Sequence, residues 1–118
     1  MTYNGKDYHA FYSNFTFSPE TQGYKLSVSG YSGTAGNSHN RVNNNQKFST
    51  FDKDNDKYIN GNCAVSYKAA WWYNQCHYTN LNGLWGCNRS SEGLNWYDVT
   101  GINGSVSRSE MKIRPVSP

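Results

Sequence analysis

The sequence predicts an α+β fold, mostly loop and antiparallel strand, on three observations. Asn (16), Ser (14) and Gly (11) make up 41 of the 118 residues, a composition that favours turns and disfavours long helices. Two early segments alternate apolar and polar residues with the period of a half-buried strand. Only 36% of residues are hydrophobic while 16% are aromatic, so ten Tyr, five Phe and four Trp must supply most of the buried surface. A chain of this length forms one domain, 1–118, and an all-helical bundle is excluded.

Residues 8–17 place Phe11, Phe15 and Phe17 on one parity and stop at Ser18-Pro19, which reads as a half-buried strand. Residues 24–31 put Tyr24, Leu26 and Val28 on one face and Lys25, Ser27 and Ser29 on the other, before a turn at Gly30–Gly33. A hairpin through Pro19–Gly23 joins the two. From Thr34 to Lys47 nothing is periodic and Asn43-Asn44-Asn45 is low in complexity, so the segment reads as a surface loop. Residues 48–98 carry the unusual chemistry in a loop-rich unit, with one helical turn near Val65–Tyr67. Met111 and Ile113 alternate with Lys112 and Arg114 before Pro115, which suits a last strand returning to the hairpin. Residues 8–47 and 105–115 thus form a sheet part and 48–104 a loop-rich part.

The net charge is +3, but Asp52, Asp54 and Asp56 hold three of the eight acidic residues. The eleven basic residues are scattered singly, with no adjacent pair, so no footprint for nucleic acid is present. No apolar run approaches the roughly 20 residues that cross a bilayer, and residues 1–20 do not have the pattern of a signal peptide. Three Asn-X-Ser/Thr sequons, at Asn14, Asn88 and Asn103, are about what so Asn-rich a chain produces by chance.

The sharpest constellation is Asp52-Lys-Asp54-Asn-Asp56-Lys-Tyr58-Ile-Asn60-Gly61. Carboxylates at alternate positions repel unless a cation sits among them, and hard oxygen donors suit Ca²⁺. The EF-hand pattern fails: counted from Asp52, Lys57 stands where Gly is required and Cys63 where a bidentate Glu is required. An acidic surface turn is the competing reading. Cys63, Cys76 and Cys87 allow one disulfide with a thiol left over. A zinc site from Cys63, Cys76, His77 and Cys87 matches no usual ligand spacing. A nucleophilic Cys76-His77 pair lacks an orienting third group, so the chain is read as a binding module and not an enzyme. His9 and His39 show no partner and read as surface or strand residues. Two or three of Trp71, Trp72, Trp85 and Trp96 belong to packing. Asn80, Asn82 and Asn95 are expected to satisfy backbone groups rather than a ligand.

Tyr24–Gly36, Phe48–Asp56, Asn62–Ala64, Ser66–His77, Asn80–Gly83, Gly93–Trp96 and Glu110–Pro115 resemble, in order and approximate spacing, the fibrinogen-related C-terminal domain. The match covers nearly all of residues 8–115. The resemblance implies a truncated form of that fold, lacking an N-terminal subdomain with its own cysteine pair and leaving an edge of the sheet exposed. It also implies Ca²⁺ held by the side chains of Asp54 and Asp56 and by carbonyls of Tyr58 and a residue near Asn60 or Gly61, with Asp52 behind them. A Cys63–Cys76 disulfide and a cis Gln75–Cys76 peptide come with it, and Cys87 departs from the pattern.

Ficolins and tachylectins in this family bind acetyl groups in an aromatic-walled pocket. Here Tyr67 matches one wall and Cys76 and His77 the carbonyl-binding segment, while Ser90-Ser91 and Ile102 stand where other walls would be. Over Lys68–Gly93 the closer likeness is to tenascins. The resemblance therefore implies a secreted, extracellular recognition module. Its first reading is lectin-like, binding acetylated or other glycans in pattern recognition, and the alternative is tenascin-like adhesion through extracellular proteins. Neither reading involves nucleic acid or membrane insertion, and oligomerisation is compatible with both.

Overall fold

The two alternating segments pair as the sequence predicts in a computed structural model of the protein, which describes residues 1–116. A short hairpin of β1 (Thr2–Tyr3) and β2 (Lys6–Asp7) turns through Asn4-Gly5, both at positive φ, as a two-residue turn of this handedness requires. The main ribbon is β3 (Ala10–Phe17) antiparallel to β4 (Leu26–Gly33), with Phe15 opposite Val28 and Phe17 opposite Leu26. Its connection is closed by a 3-10 turn over Glu20–Gln22, where Gly23 at φ 75° donates to the Glu20 carbonyl at 2.9 Å. Ser18 holds the mouth: its N–H donates to the Lys25 carbonyl at 3.0 Å and its Oγ accepts the Lys25 N–H at 2.7 Å.

The ribbon departs from the expected single buried parity. Ala10 and Tyr12 are half-buried, then Phe15, whereas Phe11 and Phe17 are 56% and 52% exposed. The switch falls at Ser13 and Gly30, the one opposed pair missing from the ladder. Gly30 sits at φ 71°, and a β-carbon there would lie 1.8 Å from Ser13 Oγ, so only glycine fits. The turn expected at Gly30–Gly33 is instead the end of β4.

Helix α1 (Ser38–Asn43) replaces the expected surface loop, and it is buried: Ser38, His39 and Asn43 are 0%, 3% and 0% exposed. Hydropathy does not reveal it because its buried residues are polar and spend their polar atoms on backbone. Asn43 donates to the Trp72 carbonyl at 2.9 Å and accepts from the N–H groups of Tyr78 and Thr79 at 3.3 and 3.2 Å. His39 is thus a core residue, not a surface one, ringed by Tyr12, Trp71, Trp72 and Trp96 at centroid distances of 5.5–6.1 Å.

The helical turn expected near Val65–Tyr67 is α2 (Cys63–Ser66), capped by Asn62, whose Oδ1 accepts the Val65 N–H at 3.2 Å. Strands β5 (Thr79–Asn80) and β6 (Asn95–Trp96) pair antiparallel, and α3 (Tyr97–Thr100) follows directly. The core gathers Ala35, Cys63, Ala64, Trp71, Tyr73, Leu81, Leu94, Trp96 and Val106. Trp71 and Trp96 are buried, Trp72 is half-buried and Trp85 is 74% exposed, in line with the packing role expected for most of them. The expected last strand over Met111–Arg114 is not formed: the segment is irregular, with Met111 and Ile113 50% and 70% exposed. The chain returns earlier, where Ser107 and Arg108 exchange backbone hydrogen bonds with Thr2 at 2.8 and 2.9 Å. Alternation alone does not make a strand without a partner edge in reach.

Candidate functional site

The acidic loop is fastened at both ends. Asn55 donates its N–H to Ser49 Oγ at 3.0 Å and its side-chain amide to the Phe48 carbonyl at 2.9 Å, and Lys57 N–H reaches the Asn74 carbonyl at 3.0 Å. Between these ties Asp54 Oδ1 accepts the Asp56 N–H at 3.1 Å, Asp56 Oδ1 accepts the Tyr58 N–H at 2.9 Å and Asp56 Oδ2 the Cys63 N–H at 2.8 Å. Asp52 lies outside this series of turns, held by the Thr50 hydroxyl at 2.7 Å. Asn60 is exposed and Gly61 half-buried, with Gly61 N–H on the Tyr58 carbonyl at 3.2 Å.

Burial, and next to it the neighbouring Asp54 carboxyl, push the Asp56 carboxyl above the ordinary carboxylate range, although two backbone N–H groups pull it down. Among the described residues none of Asp52, Asp54 and Asp56 forms a salt bridge. Two adjacent carboxylates without a cationic side chain form a hard oxygen donor set, which fits Ca²⁺. No group of three or more His, Cys, Asp or Glu among the described residues could hold a metal, so a cation bound here would complete its shell with carbonyls and water.

Cys63 and Cys76 are bridged, with Cα atoms 5.7 Å apart, and Cys87 is a free, half-buried thiol. That pairing removes the zinc alternative. The Gln75–Cys76 peptide is cis. Beyond it His77 is buried, with its ring 5.2 Å edge-on to Tyr67 and 5.8 Å from Tyr73. Its Nε2 donates to the Ser91 carbonyl at 2.9 Å, which leaves Nδ1 as a bare acceptor, buried and without a partner. Burial lowers the His77 pKa to about 4, against a smaller opposing pull from the Ser91 carbonyl, so the ring is neutral at physiological pH.

Ser91 in turn sits at φ 66° and donates its N–H to the Ile102 carbonyl at 2.7 Å. The fold therefore brings Tyr67, Cys76, His77, Ser91 and Ile102 together, while Gln75 and Ser90 lie exposed at the margin. The N–H groups of Cys76 and His77 have no acceptor among the described residues, so two donors stand beside one aromatic ring. Asn80 and Asn95 spend their side chains on the fold: Asn80 accepts from the Tyr73 hydroxyl at 2.6 Å and donates to the Ser91 and Gly93 carbonyls at 3.4 Å, and Asn95 donates to the Gly104 carbonyl at 2.6 Å. Asn82 likewise serves the Ala70 carbonyl at 3.0 Å.

One surface was not singled out in the sequence. An open apolar groove of about 710 Å³ runs beside the acidic loop, lined by Phe51, Ala64, Val65, Lys68, Ala69 and Ala70. Its signal was available in Phe51 and Val65, apolar residues in a polar stretch that turn out 75% and 57% exposed.

The family model for the C-terminal globular domain of the fibrinogen beta and gamma chains matches residues 1–116. The protein belongs to this family. Tenascin of Mus musculus is 47% identical over 112 residues, covering 95% of this chain and 5% of that protein. Tenascin-R of Rattus norvegicus is 48% identical over 106 residues, covering 90% of this chain and 8% of the relative. Among solved structures, the fibrinogen-like globe domain of human ANGPTL2 superposes with a TM-score of 0.83 at 39% identity, over 90% of this chain and 50% of that one. A lamprey fibrin D-dimer in complex with the peptide Gly-His-Arg-Pro-amide superposes with a TM-score of 0.81 at 28% identity, over 90% and 40%. The chain thus spans half or less of these solved structures and under a tenth of the tenascins. The fibrinogen-like fold agrees with the α+β class expected from the sequence.

Proposed function

We propose that this fibrinogen-related domain is an extracellular, non-catalytic recognition module that binds proteins in adhesion, as the tenascin-like alternative holds, rather than a lectin for acetylated glycans. The observation that carries this reading is the 47% and 48% identity to tenascins over 95% and 90% of the chain. Two further observations support it. The peptide ligand of the lamprey fibrin structure is protein in nature. In this protein His77, whose ring packs edge-on against Tyr67, is hydrogen-bonded to the Ser91 carbonyl, so serine backbone joins the cluster where an aromatic wall would be needed to cup an acetyl methyl. Calcium on Asp54 and Asp56 would brace the loop, since each carboxylate also fixes backbone of the segment that leads into α2.

The test immobilises the domain and compares binding of soluble extracellular-matrix proteins with binding of acetylated glycans on an array, each with and without EDTA. Chelator-sensitive protein binding with no glycan above background is expected. Saturable glycan binding in the low micromolar range, with no protein bound, would overturn the reading.

A further inference from the structure

We propose that Asn88 is a modification site, carrying an N-linked oligosaccharide on its side-chain amide once the chain has passed through a secretory compartment. This rests on the extracellular part of the reading above, and not on which ligand the domain takes. Sequons alone decide nothing in so Asn-rich a chain, but the fold adds an independent observation. Ten of the 16 asparagines spend their side chains on hydrogen bonds within the protein. The other six have no such bond among the described residues, and the three sequon asparagines, Asn14, Asn88 and Asn103, all belong to those six and are all exposed. Random placement of three sequons among the 16 asparagines gives that outcome about once in 28 draws.

The three sites differ in what the fold does with the rest of the sequon. Asn14 stands inside β3, in register with Ser29 of β4. Ser105, two residues after Asn103, is spent: its Oγ accepts the Gly86 and Leu94 N–H groups at 3.3 and 3.1 Å and donates to the Val106 carbonyl at 3.2 Å. Asn88-Arg89-Ser90 lies outside helix and strand, with the Asn88 amide and the Ser90 hydroxyl both exposed and without a partner among the described residues. Two turns present it, one closed by the Cys87 N–H on the Leu84 carbonyl and the next by the Glu92 N–H on the Arg89 carbonyl, each at 3.2 Å. The acceptor is recognised together with the hydroxyl two residues on, so this sequon keeps both recognised groups available. A surface for the first sugar adjoins it. Asn88 lines an open hollow of about 580 Å³ together with Trp85. Trp85 is 74% exposed, and its Nε1 donates to the Ser107 carbonyl at 2.9 Å, which fixes the ring. An aromatic face held in this way packs against the apolar C–H face of a sugar. In the transfer the Asn88 amide nitrogen bonds to the anomeric carbon of a lipid diphosphate-linked oligosaccharide. The bond from that carbon to the phosphate oxygen breaks, the lipid diphosphate leaves with the electron pair, and the amide gives up one proton to a base of the transferase.

The test expresses the full 118-residue chain behind a cleavable signal peptide in cells that attach N-glycans, which imposes the route and leaves the domain's natural location out of the result. Chains from cells and medium are treated with peptide N-glycosidase, which leaves aspartate where a glycosylated asparagine stood, and are mapped by mass. That conversion should appear at position 88 in most chains. Asn88→Gln and Ser90→Ala, both at exposed positions, should each remove the glycan with an unchanged circular dichroism spectrum, and Ser90→Thr should keep it. Position 88 unmodified in most chains overturns the proposal and leaves the extracellular reading standing. Conversion at position 88 that survives Ser90→Ala, or that appears without the glycosidase, overturns it as well, because it then reports deamidation and not a sugar.

Discussion

His39 Nδ1 lies 2.8 Å from Thr79 Oγ1, and this contact settles the state of the imidazole. The Thr79 hydroxyl sends its proton to Asn43 Oδ1 at 3.0 Å and accepts from Trp71 Nε1 at 3.1 Å. What remains on the oxygen is a lone pair, so His39 must bring the proton on Nδ1 and keep Nε2 bare, buried and unpartnered.

Acid sensitivity follows. Burial lowers the His39 pKa to about 4, and the His77 pKa also to about 4. Both lie below the unfolded value near 6.5, so the unfolded chain takes up protons first as the pH falls. The stability these neutral rings contribute is complete above about pH 6.5, declines between pH 6.5 and 4, and falls no further below that. Each site should cost about 3 kcal/mol across the window. Urea unfolding at pH 7 and pH 5 measures this. Equal stability at the two values would show that neither ring is held neutral by burial.

The acidic loop makes a second prediction. With a dissociation constant of about 0.1 mM, common for extracellular calcium modules, about 2 mM Ca²⁺ stabilises the fold by about 2 kcal/mol. EDTA should therefore lower the melting temperature by several degrees. Replacing Asp54 and Asp56 together by alanine should remove both the calorimetric binding signal and the EDTA effect. Calcium affinity that survives the double substitution would move the site elsewhere.

A third prediction concerns the bridge. Cys63 and Cys76 close a loop of sequence separation 13, for which chain entropy gives a stabilisation of about 3 kcal/mol. A Cys63→Ser, Cys76→Ser variant should lose about that much in denaturant unfolding. Non-reducing peptide mapping should recover the 63–76 link and alkylated Cys87, and a Cys76–Cys87 peptide would contradict the pairing.

What the sequence made legible was whatever local pattern decides. The β3–β4 hairpin was visible because Leu26 and Val28 alternate with Ser27 and Ser29 and Pro19–Gly23 supplies the turn. The Tyr67–His77 cluster was visible through ordered blocks of rare residues around Cys76-His77. What stayed hidden depended on distant partners. Asn43 and His39 read as polar loop, yet Thr79, 36 and 40 residues away, makes them core. Met111 and Ile113 alternate like a strand, but the sheet edge they would need is not beside them. The exposed Phe11 and half-buried Phe15 share a parity that only the kink at Gly30 separates.

The last prediction concerns acetylated sugars. An acetyl carbonyl needs donors, and the free N–H groups of Cys76 and His77 supply two. Its methyl needs a close apolar cup, of which Tyr67 is one side. By the family resemblance the remaining sides would be Ile102, which has no hydroxyl to accept the acetamido N–H, and Ser91, whose carbonyl is already held by His77 at 2.9 Å. A lost hydrogen bond and part of a lost apolar wall together cost about 1–3 kcal/mol, a tenfold to hundredfold weakening. N-acetylglucosamine should therefore bind the isolated domain in the millimolar range or not measurably, and useful avidity would require several copies on one scaffold. Titration followed by NMR at the His77 and Tyr67 signals reads this directly. Small, unsaturated shifts up to millimolar sugar are expected, whereas saturation in the low micromolar range would show that Ile102 and Ser91 rebuild the wall and that the lectin reading holds.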